Sequence, residues 1–249
     1  AFFVPMPRFA ALHQARWFIV TVRTLACAPA YNCRVADNSP QTPPTLDAAI
    51  ALSRWARGLK PEELARALQG MSERHIAAGG FICRQGEQPT GWFGIIDGLA
   101  KMSSDWVTGK TASYAGIPTG GWFGEGSLLK TEPRRYDVVA LRATRVACMN
   151  RNTFRWLLDN SIGFNHAIIE QINERLGQFI GLLESERLHD TDTRVARSIS
   201  IMFNPVLYPG QSASLSISQE ELGNLAGVSR QRVNRSLRIL EDAGFLRVE

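Results

Sequence analysis

The hydrophobic positions of this chain change period twice. Over 46–68 they recur at helical spacing, with Trp55, Leu59, Leu64 and Leu68 on one side and Pro61 opening a second short helix ahead of Glu62 and Glu63. Over 79–149 the period shortens. The stretches FICRQGE, WFGIIDGLAKM, VTGKTASYAGIP, GGWFGEGSLL and VVALRATRVACM are runs of β-favouring residues, with Gly86, Gly98, Gly109 and Gly121 at the hairpin corners between them. That pattern predicts a many-stranded antiparallel β domain. Helical spacing then returns as a short helix over 152–158 and a long one over 164–188. In the long helix Ile168, Ile172, Leu176, Phe179 and Leu183 are spaced four, four, three and four residues apart. Such a stripe approximates a coiled-coil seam and predicts pairing with a second copy of the chain.

Past residue 189 the pattern is of short elements. Asp190 or Asp192 caps a helix whose Val195, Ile199 and Phe203 face inward; Asn204-Pro205 ends it, Pro209-Gly210 turns, and SLSIS reads as a strand. Over 218–244 two helices are joined by a tight corner. Ser218 caps the first, Glu221 stands where a capping box needs it, and Leu222 and Leu225 point inward. Gly227 supplies the positive φ of the corner, Val228 plugs the space between the helices, and Ser229 caps the second. Val233, Leu237 and Leu240 form its apolar face, and Arg230, Gln231, Arg235 and Arg238 its opposite one. A solvated basic face on any amphipathic pair would show some of this. The conjunction of cap, turn glycine, second cap and leading arginines favours DNA, because a helix-turn-helix lays the start of its second helix in the major groove, where arginine bonds guanine and glutamine adenine. Gly244 followed by Phe245, Leu246, Arg247 and Val248 reads as a stop and a strand, the start of a wing, and Glu249 ends the sequence before a return strand, so the wing is expected to be cut short.

Composition narrows the picture only a little. With 249 residues and 45% hydrophobic content, two cores are affordable, and a net charge of +5 permits an anionic partner without demanding one. Cys27, Cys33, Cys83 and Cys148 lack metal-ligand or disulfide-framework spacing, and His13, His75, His166 and His189 have no companions, so no metal, iron-sulfur cluster, haem or other cofactor is expected. No apolar run spans a bilayer, and a protein without membrane partner, located in the cytoplasm, is expected. Residues 1–44 are set apart by WFIVTV between Arg16 and Arg23 and by prolines from Pro29 to Pro44. They read as a disordered or artefactual tail, the start at Ala1 suggesting a fragment edge or an over-extended translation; a secretory signal competes, but its apolar run is short.

The order of these parts, with GGWFGEGSLLKTEPRRYDVVA and SRQRVNRSL, resembles the Crp/Fnr family of bacterial transcription regulators over roughly residues 50–249. The resemblance implies an α+β protein. Its parts would be an antiparallel, jelly-roll-like β-roll sensor at 45–160, a dimerisation helix at 161–189, and a winged helix-turn-helix DNA-binding domain at 190–249. It implies a homodimer on a palindromic double-stranded operator, with RNA polymerase as a further partner. By the same resemblance Arg230, Gln231 and Arg235 fall on base-reading positions, and Ser229 and Arg232 on phosphate-contacting ones. Members that bind cyclic AMP carry a G-E pair followed by an R-S-A triplet. Gly124, Glu125 and Arg134 match, but Arg135 replaces the serine, Tyr136 the alanine, and Phe179 with Ile180 stand where two hydroxyl residues would bond adenine. These seven residues are the candidate effector site, and the effector is expected not to be cyclic AMP. The alternatives are a cyclic-AMP-responsive regulator and a ligand-binding or dimerisation module that does not read DNA. With no nucleophile-base pair, metal site or P-loop, no catalytic residue is assigned and an enzyme is not expected.

Overall fold

The computed structural model describes residues 17–22, 44–105, 111–188 and 190–249. Helices α1 (Leu46–Leu52), α2 (Arg54–Arg57) and α3 (Pro61–Gln69) lead into two four-stranded sheets. The first holds β2 (Met71–Ile76), β9 (Thr144–Asn150), β4 (Gly91–Asp97) and β7 (Trp122–Phe123) in that order. The second holds β3 (Phe81–Cys83), β8 (Asp137–Ala140), β5 (Leu99–Asp105) and β6 (Thr111–Pro118). All their pairings are antiparallel. Phe93, Ile95, Met102, Ile117, Phe123, Val138 and Val146 fill one cluster, the interior of a β-roll. Short helix α4 (Glu125–Lys130) interrupts the strands, and α5 (Arg151–Asn160) and α6 (Ile162–Leu188) follow them.

Aromatic packing joins the leading helices to α6. Trp55, Trp92, Trp122, Phe154 and Phe164 form one cluster, in which the rings of Trp92 and Trp122 lie 4.5 Å apart and Trp122 Nε1 donates to Ser53 Oγ at 2.9 Å. Offset and edge-on contacts of this kind add to the area they bury. Next to it Glu63 accepts from Lys60 N at 2.9 Å and from Ser161 Oγ at 2.8 Å. The Lys60 backbone bond is the main reason its carboxyl stays below the usual range despite burial. At the start of α6 the backbone itself is the contact: a Cβ on Gly163 would stand 2.0 Å from the Gly58 carbonyl oxygen, so only glycine lets the helix cross there.

After α6 come α7 (Thr191–Ile201), β10 (Ser214–Ser218), α8 (Gln219–Ala226), α9 (Arg230–Asp242) and β11 (Leu246–Val248). Asp190 caps α7 by accepting from Thr193 N. Val195, Ile199, Leu215, Ile217, Leu222, Val233, Leu237 and Leu246 bury the core of this second unit. Among the described residues no helix is long and apolar enough to cross a membrane.

Several expectations need correction. The β region begins earlier than residue 79: MSERHI forms β2, a strand too polar to announce itself because much of it faces solvent. Gly86 and Gly98 have positive φ as expected, but the third such corner is at Gly120 (φ 84°), not Gly121, and Gly109 lies outside the described residues. On α6, Ile168 is buried among the aromatic rings and Phe179 is half-buried. The exposed stripe is instead Ile169, Ile172, Leu176, Ile180 and Leu183.

The segment 1–44, expected as a tail, contains β1 (Trp17–Val22), which lies between β10 and β11 and pairs antiparallel with both. Its β-branched residues suit a strand, but its partners are most of the chain away and leave no local sign. Pro44 is also described, its carbonyl accepting from Arg145. The rest of that segment, with His13, Cys27 and Cys33, lies outside the described residues, as does His189. Val20 is fully buried in the second core. Val20→Asp should therefore lower the unfolding free energy by about 3 kcal/mol or more, the cost of an unpaired buried charge. Urea unfolding of the variant beside the parent measures this; a change under about 0.5 kcal/mol would mean that β1 is not part of the core.

Candidate DNA-binding surface and sensor site

The helix pair is held from three sides. Ser218 Oγ accepts from Glu221 N at 3.1 Å, starting α8. The capping box is not completed, because the Glu221 carboxylate turns to Lys101 Nζ on β5, at 2.9 and 3.1 Å. Gly227 ends α8 at φ 64°, and Arg194 on α7 donates to the carbonyls of Ala226 and Gly227 at 2.8 and 3.2 Å, supplying donors for a helix end that would otherwise lack them. Ser229 Oγ accepts from Arg232 N at 3.4 Å, and Ser236 on the inner side of α9 donates to Asp192 on α7. With Val233, Ser236 and Leu237 buried, α9 exposes Arg230, Gln231, Arg232, Arg235 and Arg238 together, and Ser229 stands exposed at its start. None of these arginines has an ion-pair partner among the described residues. The result is a helix anchored on its inner side with a bare cationic face.

The second candidate site lies where α4 and α6 meet the β-roll. Gly124 adopts φ 92°, and a Cβ there would stand 2.2 Å from the Arg134 guanidinium, so both backbone and space require glycine. Arg134 is buried and donates to the carbonyls of Gly124 at 2.7 Å and Gly91 at 2.5 Å. Glu125, also buried, accepts from Trp92 Nε1 at 3.3 Å and lies 3.6 Å from Nε of Arg175 on α6. Arg175 in turn donates to the Trp122 carbonyl at 2.7 Å. Burial works against its charge, but the Glu125 carboxylate, together with Tyr208 and Tyr136, outweighs burial and holds its pKa up.

Tyr136 packs half-buried against the roll interior, and burial pushes its hydroxyl up to about 12, with Glu125 adding to the effect. Cys83 is pushed up to about 11 by burial and is an inert thiol. Arg135 is not brought to the site; it faces solvent and pairs with Glu132 at 2.7 Å. Phe179 is half-buried, and Ile180 is exposed on the outer stripe of α6, away from the roll. Beside Arg134 a cavity of about 260 Å³ is lined by Arg74, Cys83, Arg84, Glu87, Thr90 and Phe93.

Sequence reasoning missed Trp92, Arg175 and Tyr208. Tyr208 belongs to the segment between α7 and β10, yet it is buried within the roll cluster with Leu207, and its hydroxyl donates to the Gly116 carbonyl on β6 at 3.3 Å. The only traces of Arg175 and Tyr208 in the sequence are an arginine interrupting the apolar positions of a long helix and an apolar VLY held between two prolines.

Comparison with known proteins matches the two units that carry these residues. The cyclic nucleotide-binding domain family matches residues 73–161, and the Crp-like helix-turn-helix domain family matches residues 193–249. The chain is 27% identical to the cyclic AMP receptor protein of Thermus thermophilus over 191 residues, covering 77% of this chain and 87% of that protein. It is 22% identical to a CRP-like cAMP-activated global transcriptional regulator of Mycobacterium tuberculosis, covering 82% and 92%. A match to the cAMP-dependent protein kinase type II regulatory subunit of Drosophila melanogaster, 29% identical, spans 57% of this chain and only 36% of that protein. Among solved structures, FixK2 from Bradyrhizobium japonicum shares the fold at a TM-score of 0.60 and 17% identity, over 70% of this chain and 86% of that one. The kinase subunit matches over little more than half of this chain, whereas the bacterial regulators match across β-roll, long helix and helix-turn-helix, and with them the chain belongs to the Crp/Fnr family of DNA-binding transcription regulators.

Proposed function

We propose that the protein binds a palindromic operator as a homodimer, with a sensor at 45–160, a pairing helix at 161–189 and a DNA-reading unit at 190–249 that recruits the N-terminal strand. The observation that carries this reading is the bare cationic face of α9. Arg230, Gln231 and Arg235 reach base edges in the major groove, and Ser229 and Arg232 contact phosphates. Pairing is supported by Ile169, Ile172, Leu176, Ile180 and Leu183, large apolar side chains left exposed along one side of α6. A seam of this kind sets two α9 helices at the spacing of successive major grooves.

Cyclic AMP is not the effector in this reading. Tyr136 narrows the roll, Arg134 is tied to two backbone carbonyls, and Phe179 offers adenine no hydrogen-bond partner. An adenine left unpaired against apolar groups forfeits about 1–3 kcal/mol. The second reading, a cyclic-AMP-responsive regulator, is favoured by the names of the Thermus and Mycobacterium relatives. Titration calorimetry separates the two. No heat of binding is expected at micromolar cyclic AMP, and saturable micromolar binding with a gain in DNA affinity would favour the second reading.

Two further outcomes are expected. In selection from random duplex DNA, Arg235→Ala should lose discrimination at one base pair per half-site, worth about 1–3 kcal/mol, while Arg232→Ala should weaken all sequences alike. Identical motifs for Arg235→Ala and the parent would contradict the assignment of α9. In sedimentation at micromolar concentration the parent should be a dimer and Leu176→Glu/Ile180→Glu a monomer with weakened operator binding. A monomeric parent would refute the seam.

A further inference from the structure

The strap from Asn204 to Gly210 crosses from the DNA-reading unit back into the sensor. Leu207 and Tyr208 are 5% and 2% exposed, although they lie in a connection that an ordinary fold would leave on the surface. Tyr208 sits against Gly121, where an added Cβ would stand 3.0 Å from its ring, and donates to the Gly116 carbonyl. Its hydroxyl feels both charges of the sensor pair: burial raises its pKa, Arg175 works against this, and Glu125 adds to it. Asn204 holds the bend, its side-chain oxygen accepting from the amides of Val206 and Leu207 and its amide donating to Glu174 on α6. A small cavity of about 20 Å³ lies between strap, α2 and α6, lined by Trp55, Glu170 and Leu207. Two more contacts fasten the same two units: the Lys101–Glu221 pair at 2.9 Å, and Met202 with Leu225 packed at Gly116.

We propose that Tyr208 is a built-in ligand of the sensor, which docks into the β-roll and thereby fixes the DNA-reading unit in a DNA-competent pose. The inference rests on the DNA-binding reading above and extends it to regulation. An internal group needs no translational entropy to stay bound, so the pose is pre-organised without added ligand. The cationic face of α9 stays bare in this docked state, as a DNA-competent pose requires.

The test uses the full chain and the operator recovered by selection. With no small molecule added, the parent should bind it. Tyr208→Ala should bind at least tenfold more weakly and recover most of the loss in millimolar 4-methylphenol, which replaces the missing ring. Tyr208→Phe, which keeps the ring, should stay within about fivefold of the parent, the change that a single neutral hydrogen bond of about 1 kcal/mol produces. A Tyr208→Ala protein that binds as tightly as the parent, or more tightly, would overturn the proposal. So would a parent that binds only after cyclic AMP is added.

Should Tyr208→Ala not fold, Gly116→Cys/Met202→Cys carries the test. Oxidation would lock the docked pose, and operator binding should survive it; loss of binding on oxidation and recovery on reduction would refute a DNA-competent docked state. Arg235→Ala keeps the two readings apart. If it changes the selected motif while Tyr208→Ala changes nothing, only the internal-ligand proposal fails.

Discussion

Arg175 is a cation that α6 carries into the protein, and the arrangement around the sensor follows from what that charge needs. A guanidinium removed from water is tolerated only where an anion and carbonyls receive it. Glu125 is the anion and the Trp122 carbonyl the second acceptor, which ties the long helix to α4 and β7 at once. Gly124 must then turn with positive φ so that Glu125 faces inward, and the same turn presents its carbonyl to Arg134. A buried pair of this kind contributes little net stability, but either partner alone would be costly, so it specifies one register of helix against roll. Apolar packing of the aromatic cluster supplies adhesion without that selectivity, because rings of similar volume can interchange.

The same helix divides its surface three ways. One side, with Phe164 and Ile168, is buried among the tryptophans; one, with Gln178, meets α7, donating to the Ile201 carbonyl; one, with Ile172, Leu176 and Ile180, faces outward. This is why a periodicity argument identified the helix but misassigned part of its seam. Apolar residues on two faces blur the amphipathic signal, and Ile168 and Ile169 differ by one position while facing opposite environments.

The elements most legible in the sequence were those whose contacts are local. Caps at Ser218, Ser229 and Asp190, the corner at Gly227 and the basic face of α9 each depend on residues within one or two turns, and a pattern of that range is readable. The sensor's glycine, glutamate and arginine were identified as a constellation, but their partners were not, since Trp92 and Arg175 reach them through tertiary packing. Glu221 marks the boundary between the two cases. Its spacing from Ser218 suited a capping box, and a lysine far away in the sequence took its carboxylate instead. The strap was opaque for the same reason: prolines and a glycine around VLY announce a turn, and nothing local says that the turn is buried.

Strand β1 has a consequence for how the molecule is assembled. Val20 pairs with Val248, so a single sheet is built from near the two extremes of the sequence, and the whole β-roll is in effect an insertion between its strands. Bringing those strands together closes the longest loop in the fold and costs the most chain entropy, so that sheet is the slowest to complete. During synthesis the sensor can be finished while β1 waits unpaired, and the DNA-reading unit acquires its full core only when β11 emerges. In this order of events, the sensor is complete before the sheet of the DNA-reading unit closes.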